Sequence, residues 1–287
     1  MLKNISIIGG DLRIVKLVQM LKKENWNITT YGLEKADFGW QEGCKKAETL
    51  EEAIQENELI LSSIPLSSNG KTINSPFSEK TIYLDEILPK LKQKTLVAGN
   101  IKEKMWQQIE QNGGKVIDLL KQEELTILNT ISTAEGAIQI AMEETARTIH
   151  GSNVLVLGFG RVGKVVADRL QGLGAKVACE ARKKSDLAWI KAYGYEPIDL
   201  QNLDENLYKY TIIINTIPSM IIDETRIKLL NKEAVVIDLA SYPGGVDKEA
   251  AKRNQVKYIW ALSLPGKVAP ITSAEYIKQT LYNVINK

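Results

Sequence analysis

A glycine turn in the second half of the chain has the spacing of a dinucleotide-binding loop. It follows the apolar run NVLVL and opens an amphipathic segment, the context that this short pattern requires. Gly158 would allow the tight turn, Gly160 would let the backbone approach a diphosphate, and Gly163 would let helix and strand pack closely. The first N–H groups of that helix would then face the phosphates. We therefore predict a cofactor site at six consecutive residues: Gly158, Phe159, Gly160, Arg161, Val162 and Gly163.

The residues about 20 positions further on should contact the adenosine ribose and decide between NAD and NADP. A carboxylate at Glu180 would accept a hydrogen bond from the 2′-hydroxyl of NAD and repel the 2′-phosphate of NADP. Arg182, Lys183 and Ser185 follow directly, and their cationic and hydroxyl groups could instead hold that phosphate. Glu180 and Arg182 could also pair with each other at the surface. The charge count favours NADP, with NAD as the alternative.

Two later apolar runs end in residues that suit the other half of the same cofactor. Parallel strands bind ligands at their carboxyl ends, so the residues after Ile212–Ile214 and Val235–Ile237 should lie near the nicotinamide ribose. The predicted cofactor site therefore also includes Asn215, Thr216, Ile217, Pro218, Asp238, Leu239 and Ala240. Strand termination alone would also explain Asn, Asp and Pro at such positions.

The first half of the chain carries a second glycine turn, Gly9-Gly10, without the full dinucleotide spacing. We expect no second dinucleotide there. Asp11 and Arg13 could instead face a smaller anion, since a guanidinium binds a carboxylate through two parallel hydrogen bonds. The alternative is that Asp11 caps a helix and Arg13 is solvated.

Substrate binding and proton transfer need cationic, hydroxyl and carboxylate groups near these turns. The predicted substrate-binding residues are Arg13, Ser62, Ser63, Thr133 and Lys267. The predicted catalytic residues are Asp11, Arg13 and Glu135. Glu135 also fits a capping box with Ser132, which would start a helix at that point.

Short β-branched runs alternate with amphipathic stretches along the whole chain, a pattern typical of parallel sheets covered on both faces. We predict an α/β protein of two Rossmann-like, doubly wound parallel-sheet domains with an interdomain cleft. Residues 1–130 would form the substrate and catalytic domain, and residues 131–272 the NAD(P)-binding domain. A helix within 273–287 could complete the first domain.

The composition excludes several other classes of function. The 287 residues include 37 Lys and Arg against 35 Asp and Glu, so we expect neither a nucleic acid nor a membrane as partner. Two separated cysteines and a single histidine argue against a metal site and favour a reducing cytoplasm. The GxSxG turn of serine hydrolases does not occur in the sequence.

Several motifs in order resemble one known family. They are GGDLR, SIPL, STAEGAIQIAMEETARTIHGSNVLVLGFGRVG, EARKKS, NTIPSM, DLASYPGG and LPGKVAP, which together span most of the chain. The sequence resembles the A subunits of dipicolinate synthase and, more loosely, two-domain alanine and D-hydroxyacid dehydrogenases. It departs from the former at Glu180, where that family tends to have a small residue.

This resemblance implies a sporulation-specific dehydrogenase that oxidises a dihydrodipicolinate-like precursor to dipicolinate with NADP or NAD. It also implies a partner, a flavoprotein-like B subunit, and a place of action in the cytoplasm of the mother cell. We further expect a homo-oligomer. Two alternatives stay open at this point: a nucleotide-binding scaffold whose partner performs the chemistry, and a dehydrogenase of another small amino or hydroxy acid.

Overall fold

The computed structural model describes residues 3–36 and 44–285, which fold into two compact α/β units. The first comprises the chain up to Leu128 together with the segment from Ala269 onward, and the second comprises Asn129–Val268. Each unit contains a six-stranded parallel sheet, so the predicted fold class of two doubly wound sheets is confirmed. The predicted cleft between the units stays a prediction.

The first sheet has the strand order β3-β2-β1-β4-β5-β6. Its strands are β1 (Asn4–Ile8), β2 (Asn27–Tyr31), β3 (Cys44–Lys46), β4 (Leu59–Ser62), β5 (Thr95–Ala98) and β6 (Lys115–Asp118). Its helices before the boundary are α1 (Leu12–Lys23), α2 (Leu50–Glu56), α3 (Leu84–Ile87) and α4 (Glu103–Gln111). A longer helix, α5 (Glu123–Glu144), contains the boundary between the units.

The second sheet repeats this topology in the order β12-β11-β10-β7-β8-β9. Its strands are β7 (Asn153–Leu157), β8 (Lys176–Ala181), β9 (Glu196–Asp199), β10 (Ile212–Asn215), β11 (Val235–Asp238) and β12 (Lys257–Trp260). Its helices after α5 are α6 (Arg161–Gly172), α7 (Lys184–Ala192), α8 (Glu224–Ile227), α9 (Lys248–Arg253) and α10 (Leu264–Val268). The last helix, α11 (Pro270–Ile285), belongs to the first unit.

Both faces of each sheet are covered, because successive strand residues point to opposite sides. In β8, Val177, Cys179 and Ala181 face the core formed with α5 and α6, whereas Ala178 faces the core on the opposite side of the sheet. This explains why the central strands have apolar residues at nearly every position.

The predicted helix start at Ser132 is wrong. The helix begins at Glu123, so Ser132 and Glu135 lie in its interior rather than in a capping box. The Thr133 hydroxyl donates to the carbonyl of Asn129, 2.7 Å away, one turn earlier. Ser and Thr are tolerated inside a helix when they bond to the preceding turn in this way, and the buried Leu125 extends the apolar face upstream.

The C-terminal helix α11 packs on α1 of the first unit. Ala274, Ile277 and Leu281 are buried in the same core as Ile14. The Trp26 and Tyr282 rings stack with centroids 6.0 Å apart. The chain therefore returns to its first unit after completing the second, and residues 286–287 of the predicted helix lie outside the described residues.

Candidate functional site

The glycine turn lies between β7 and α6, and its three glycines differ in what surrounds them. Gly158 has φ +89°, and a Cβ there would come within 2.7 Å of the Thr216 hydroxyl oxygen. A Cβ on Gly163 would lie 2.1 Å from the Gly158 carbonyl oxygen. Around Gly160, in contrast, no atom of the described residues lies within 4 Å of the Cβ position, apart from Gly160 itself and its neighbours in the chain. The turn is therefore closed at both ends and open in the middle, where a diphosphate would approach.

The start of α6 adds backbone donors to this open space. Gly160 is the N-cap residue, and no side chain caps the helix there. An uncapped helix start with a glycine at the N-cap leaves N–H groups and the positive end of the helix dipole for an anion. The residues present thus fit the diphosphate of a dinucleotide.

The other residues of the predicted turn have distinct surroundings. Phe159 is buried, and its ring lies against Tyr193 and Tyr195 with centroids 6.1 and 6.2 Å away. Val162 packs against the core of the second unit. Arg161 is exposed at the beginning of α6. Phe159 and Val162 would therefore contribute their backbone to a cofactor, while their side chains anchor the turn.

At the end of β8 the structure disagrees with the predicted role of Glu180. Its carboxylate is 1% exposed, and neither oxygen has a hydrogen-bond partner. Alternation along the strand puts it on the face of Ala178, whereas Ala181 faces the α6 side. Because α6 begins at the glycine turn, the residue at this strand end that would face the ribose of a bound cofactor, at the ribose-reading position, is Ala181. The enclosed Glu180 also does not form the surface ion pair with Arg182 that we considered.

Burial raises the pKa of the Glu180 carboxyl, and the nearby charge of Asp199 raises it further. The nearby Gly158 backbone N–H, Arg182 and Arg226 all lower this pKa, but the loss of hydration dominates. A carboxyl whose pKa is raised in the folded state makes its full contribution to stability only at pH values below its ordinary pKa of 4.5. The contribution is lost as the pH rises from there through the folded-state pKa.

Replacing Glu180 by glutamine is therefore expected to stabilise the protein at neutral and alkaline pH. Glutamine has nearly the same shape and no charge to desolvate, so the free energy of unfolding should increase by about 1 kcal/mol at pH 8. The gain should disappear toward pH 4. Urea unfolding of both proteins between pH 4 and pH 8 measures the difference. If the free energy of unfolding changed with pH in the same way for both proteins, the burial of a titrating carboxylate would be contradicted.

The residues that follow Glu180 are exposed at the start of α7. Arg182, Lys183 and Ser185 all point away from the core. The neighbouring Lys184 is held by Asp199, with its ammonium nitrogen 2.6 Å from the carboxylate oxygen. The exposed guanidinium of Arg182 directly follows Ala181, the small residue at the ribose-reading position.

Asn215 and Asp238 end adjacent strands, and their fully buried side chains bond to each other. The Asn215 amide donates to Asp238 across 2.8 Å. The same carboxylate accepts from the backbone N–H groups of Ala240, at 3.0 Å, and Gly245, at 2.9 Å. These two predicted cofactor residues therefore shape the loops at the carboxyl edge through their side chains, and their place in a cofactor site stays a prediction.

The remaining predicted cofactor residues line the loops that this pair holds. The Thr216 hydroxyl donates to the Leu157 carbonyl, 2.8 Å away, which fixes the β10 loop against the glycine turn. Ile217 is half-buried and Pro218 is exposed on the same loop. On the β11 loop, Leu239 is half-buried and Ala240 is buried.

In the first unit, the buried Arg13 forms an ion pair with the half-buried Asp11. Asp11 caps α1 by accepting from the Arg13 backbone N–H, so the capping alternative is confirmed. The Arg13 side chain is 5% exposed, donates to the Asp11 carboxylate from two guanidinium nitrogens and also donates to the Ile64 carbonyl. Arg13 is thus neither solvated nor open to a substrate, because its guanidinium connects the first glycine turn to the end of β4.

Ser62 and Ser63 are also fully engaged. The Ser62 hydroxyl donates to the Ile8 carbonyl over 2.7 Å, and that of Ser63 donates to the Leu66 carbonyl over 2.9 Å. Both side chains are buried. A substrate carboxylate needs free donors, so the predicted role of these two serines is wrong.

The first glycine turn is covered by a segment that the sequence analysis did not connect with it. The Gly10 N–H donates to the Asn74 carbonyl, 3.1 Å away. A Cβ on Gly9 would meet Ile73 at 2.8 Å and Ser75 at 3.0 Å. Loop backbone thus occupies the place where a diphosphate would sit in a cofactor-binding turn.

Three predicted substrate-side residues lie in the second unit. Glu135 is exposed on α5, and Lys267 is exposed on α10. Thr133 is half-buried, with its hydroxyl committed to Asn129. Glu135 and Lys267 therefore stay as proposals, whereas the Thr133 hydroxyl already has its acceptor inside the helix.

Two features are absent from residues 3–36 and 44–285. No group of three or more His, Cys, Asp or Glu side chains is placed to hold a metal ion there. Within the same residues, no helix combines the length and apolar character needed to cross a bilayer.

Sequence reasoning missed an aromatic pair at the carboxyl edge of the second sheet. Tyr242 stacks on Trp260 with ring centroids 6.4 Å apart, and the Trp260 indole N–H donates to the Ala240 carbonyl, 2.8 Å away. The sequence offered one signal for this pair, the aromatic residue Tyr242 in the motif DLASYPGG at the end of a strand.

Two family models match the chain in succession. Residues 4–120 match the N-terminal domain of the dipicolinate synthase A subunit. Residues 126–251 match the NAD-binding domain of D-isomer specific 2-hydroxyacid dehydrogenases. The second match contains the whole glycine turn and the ends of β8, β10 and β11, so the unit with the open turn is a nicotinamide-dinucleotide domain of the dehydrogenase type.

Relatives match over nearly the whole length. The dipicolinate synthase A subunit of Bacillus subtilis (strain 168) is 33% identical over 285 residues, covering 99% of this chain and 94% of that protein. The crystal structure of the dipicolinate synthase A subunit from Bacillus halodurans has a TM-score of 0.88 at 32% identity, covering 100% of this chain and 99% of the other. The crystal structure of the corresponding Bacillus subtilis protein has a TM-score of 0.86 at 31% identity, with 99% and 95% covered.

The resemblance of the motifs, the paired parallel sheets and the open glycine turn all agree with these matches. Because a relative above 30% identity aligns with almost every residue, the chain belongs to the family of dipicolinate synthase A subunits.

Proposed function

We propose that the chain is the A subunit of a dipicolinate synthase, a pyridine-nucleotide dehydrogenase. It would oxidise dihydrodipicolinate, or its hydrated tetrahydro precursor, to dipicolinate during sporulation. The observation that supports this most is the glycine turn, which is closed at Gly158 and Gly163 and open at Gly160. An ordinary structural turn has no need for free space above an uncapped helix start.

The chemistry divides into a hydride and a proton. When bound, the nicotinamide would supply the hydride acceptor. Aromatising the dihydro ring also releases a proton, which a positioned base or a water molecule must take, and the hydrated precursor loses one water molecule in addition. We propose Glu135 for this role, because Asp11 is already paired with Arg13. The exposed ammonium of Lys267 is the proposed partner for a substrate carboxylate.

We propose NADP as the preferred cofactor, with NAD also accepted. A carboxylate at the ribose-reading position would repel a 2′-phosphate, and Ala181 carries none. The exposed guanidinium of Arg182 follows immediately and suits a phosphate dianion through paired hydrogen bonds. Glu180 supports neither cofactor, because its carboxylate is enclosed on the other face of the sheet.

Replacing Arg182 by alanine is expected to weaken NADP binding about tenfold and to leave NAD binding nearly unchanged, since only NADP carries the charge that the guanidinium contacts. Calorimetric titration with both cofactors measures the two constants. Lys191→Ala, which removes an exposed positive charge from the far end of α7, is the matched control. Equal weakening of NAD and NADP would refute a contact to the 2′-phosphate.

Partners and location also belong to this proposal. The relatives are named as one component of a synthase, so we propose that the chain pairs with a B subunit and also associates with itself. We also propose, from the family resemblance, that the reaction takes place in the cytoplasm of the mother cell of a sporulating bacterium.

The decisive assay follows reduced cofactor formation with the precursor, NADP or NAD, and the B subunit present or absent. We expect reduction in at least one combination that contains the precursor. Absence of reduced cofactor in every combination, with cofactor binding shown separately, would reject the dehydrogenase activity.

One observation favours the alternative of a nucleotide-binding scaffold. Asp11, Arg13, Ser62 and Ser63 are all engaged in internal bonds, which leaves few free catalytic groups in the described part of the first unit. A scaffold should keep full activity in the complex with B after Glu135→Gln and Lys267→Ala, whereas the proposed enzyme should lose at least tenfold in kcat/KM. The other alternative is a dehydrogenase of a different small amino or hydroxy acid, and turnover of such acids, measured side by side with the precursor, tests it.

A further inference from the structure

Tyr242 presents an aromatic ring to solvent at the carboxyl edge of the second sheet. Its side chain is 84% exposed, the largest fraction among the bulky apolar and aromatic side chains of residues 3–36 and 44–285. A ring this exposed contributes little to the core. Its free face is therefore available to a ligand.

The ring is supported from behind. It stacks on Trp260 at an interplanar angle of 28°. The Trp260 indole is itself fixed, because its N–H donates to the Ala240 carbonyl. One face of the phenol is thus occupied by a second aromatic ring, and the other face is free.

The loop that carries Tyr242 is held at both ends. The Asp238 carboxylate accepts from the backbone N–H groups of Ala240 and Gly245, and the Gly244 N–H donates to the Ser241 carbonyl over 2.9 Å. An added methyl group on Gly245 would collide with Asn215 at 2.3 Å, so the loop lies tightly on the sheet. A ring held in one place loses little conformational freedom when a ligand stacks on it.

The position of this loop relates it to the cofactor turn. It follows β11, which pairs with β10, and β10 pairs with β7, the strand that leads into the glycine turn. Ligands of open parallel sheets bind outside the carboxyl ends of such neighbouring strands. The Tyr242 ring therefore lies on the edge where the reacting rings of a dehydrogenase would meet.

We propose that Tyr242, backed by Trp260, is a stacking platform for a flat, electron-poor pyridine ring. The electron-rich phenol face complements a ring whose electron density is withdrawn by carboxylates or by a carboxamide. Two sources share this chemistry: the pyridine dicarboxylate product and the nicotinamide of the cofactor. This inference rests on the proposed function and adds to it the group that recognises the ring.

The test compares Tyr242→Ala and Tyr242→Phe by calorimetric titration with dipicolinate, with NADP, and with the ADP-ribose 2′-phosphate fragment that lacks the pyridine ring. Tyr242→Ala should weaken binding of a pyridine ligand about tenfold, and Tyr242→Phe should stay within about twofold of the original protein. Weaker dipicolinate binding identifies the ring of the product as the group that stacks on Tyr242. Weaker NADP binding with unchanged fragment binding identifies the nicotinamide.

Tyr208→Ala is the matched control. Tyr208 is 61% exposed in the same unit, but it precedes β10 and so lies at the amino edge of the sheet. Its replacement should change none of the three constants. Because both tyrosines are exposed, neither change should alter the thermal unfolding temperature appreciably.

If Tyr242→Ala leaves dipicolinate and NADP binding within twofold, or if the original protein binds neither compound, the platform does not exist. A protein that binds both rings through Tyr242 but never reduces a cofactor would keep the platform and lose the proposed activity. If Tyr242→Ala retains turnover with unchanged KM and unchanged ligand binding, the proposed activity would stand and the platform would not.

Discussion

Replacing Gly160 by alanine is expected to weaken dinucleotide binding about 100-fold while the second unit keeps its fold. Apart from the neighbours of Gly160 in the chain, no atom of residues 3–36 and 44–285 lies within 4 Å of its Cβ position, so the methyl group displaces none of these residues. The same space is where the backbone would approach a diphosphate, and a methyl group there would hold the ligand away from the N–H groups of α6. Calorimetric titration with NADP and NAD measures the loss.

Gly172→Ala provides the control for this prediction. Gly172 lies at the other end of the same helix, and its Cβ position is also free of contacts within 4 Å. It should leave cofactor binding unchanged. Since alanine is a poorer N-cap than glycine, Gly160→Ala should cost at most about 1 kcal/mol of stability. Cofactor binding that survives Gly160→Ala would mean that the turn does not hold a diphosphate.

Replacing Asp238 by alanine is expected to destabilise the second unit by about 4 kcal/mol. Its carboxylate is fully buried and accepts hydrogen bonds from the Asn215 amide and from the backbone of Ala240 and Gly245. Alanine would leave all three donors without an acceptor in the interior, each at a cost of about 1–3 kcal/mol. Urea unfolding followed by circular dichroism measures the change.

Asp247→Ala separates this effect from the loss of an ordinary capping aspartate. Asp247 also accepts from two backbone N–H groups, those of Glu249 and Ala250, but at the half-exposed start of α9. Its loss should cost about 1 kcal/mol. If Asp238→Ala were no more destabilising than Asp247→Ala, the buried network would not hold the carboxyl-edge loops as described.

The two variants examine different parts of one arrangement. Gly160 contributes an empty space, whereas Asp238 contributes bonds that keep the neighbouring loops in place. A site for a flexible dinucleotide needs both, because binding is strongest when the surrounding backbone does not have to reorganise. Tyr242 depends on the same loop, so its ring position should change when Asp238 is replaced.

The sequence alone determined the features whose causes are local. Gly158 needs a positive φ and Gly163 a close approach to backbone, and both demands follow from residue type and spacing in six consecutive positions. The central strands, such as β7 and β10, were predictable for a similar reason, because burial on both faces selects apolar residues along the whole run. Three strands were missed. The edge strands β3, with the sequence CKK, and β9, with EPID, carry no continuous apolar run, and the interior strand β2, with NITTY, is largely polar.

Only the tertiary structure decided which polar side chains are free. Ser62 and Arg13 have the right chemistry for a substrate carboxylate, yet carbonyls of Ile8 and Ile64 from distant segments already occupy their donors. A shift of one residue along β8 separates the enclosed Glu180 from Ala181 at the ribose-reading position, and spacing cannot resolve a difference that turns a side chain to the opposite face. Residue type sets what a group can bind, but the groups that fold against it determine whether that capacity is still available.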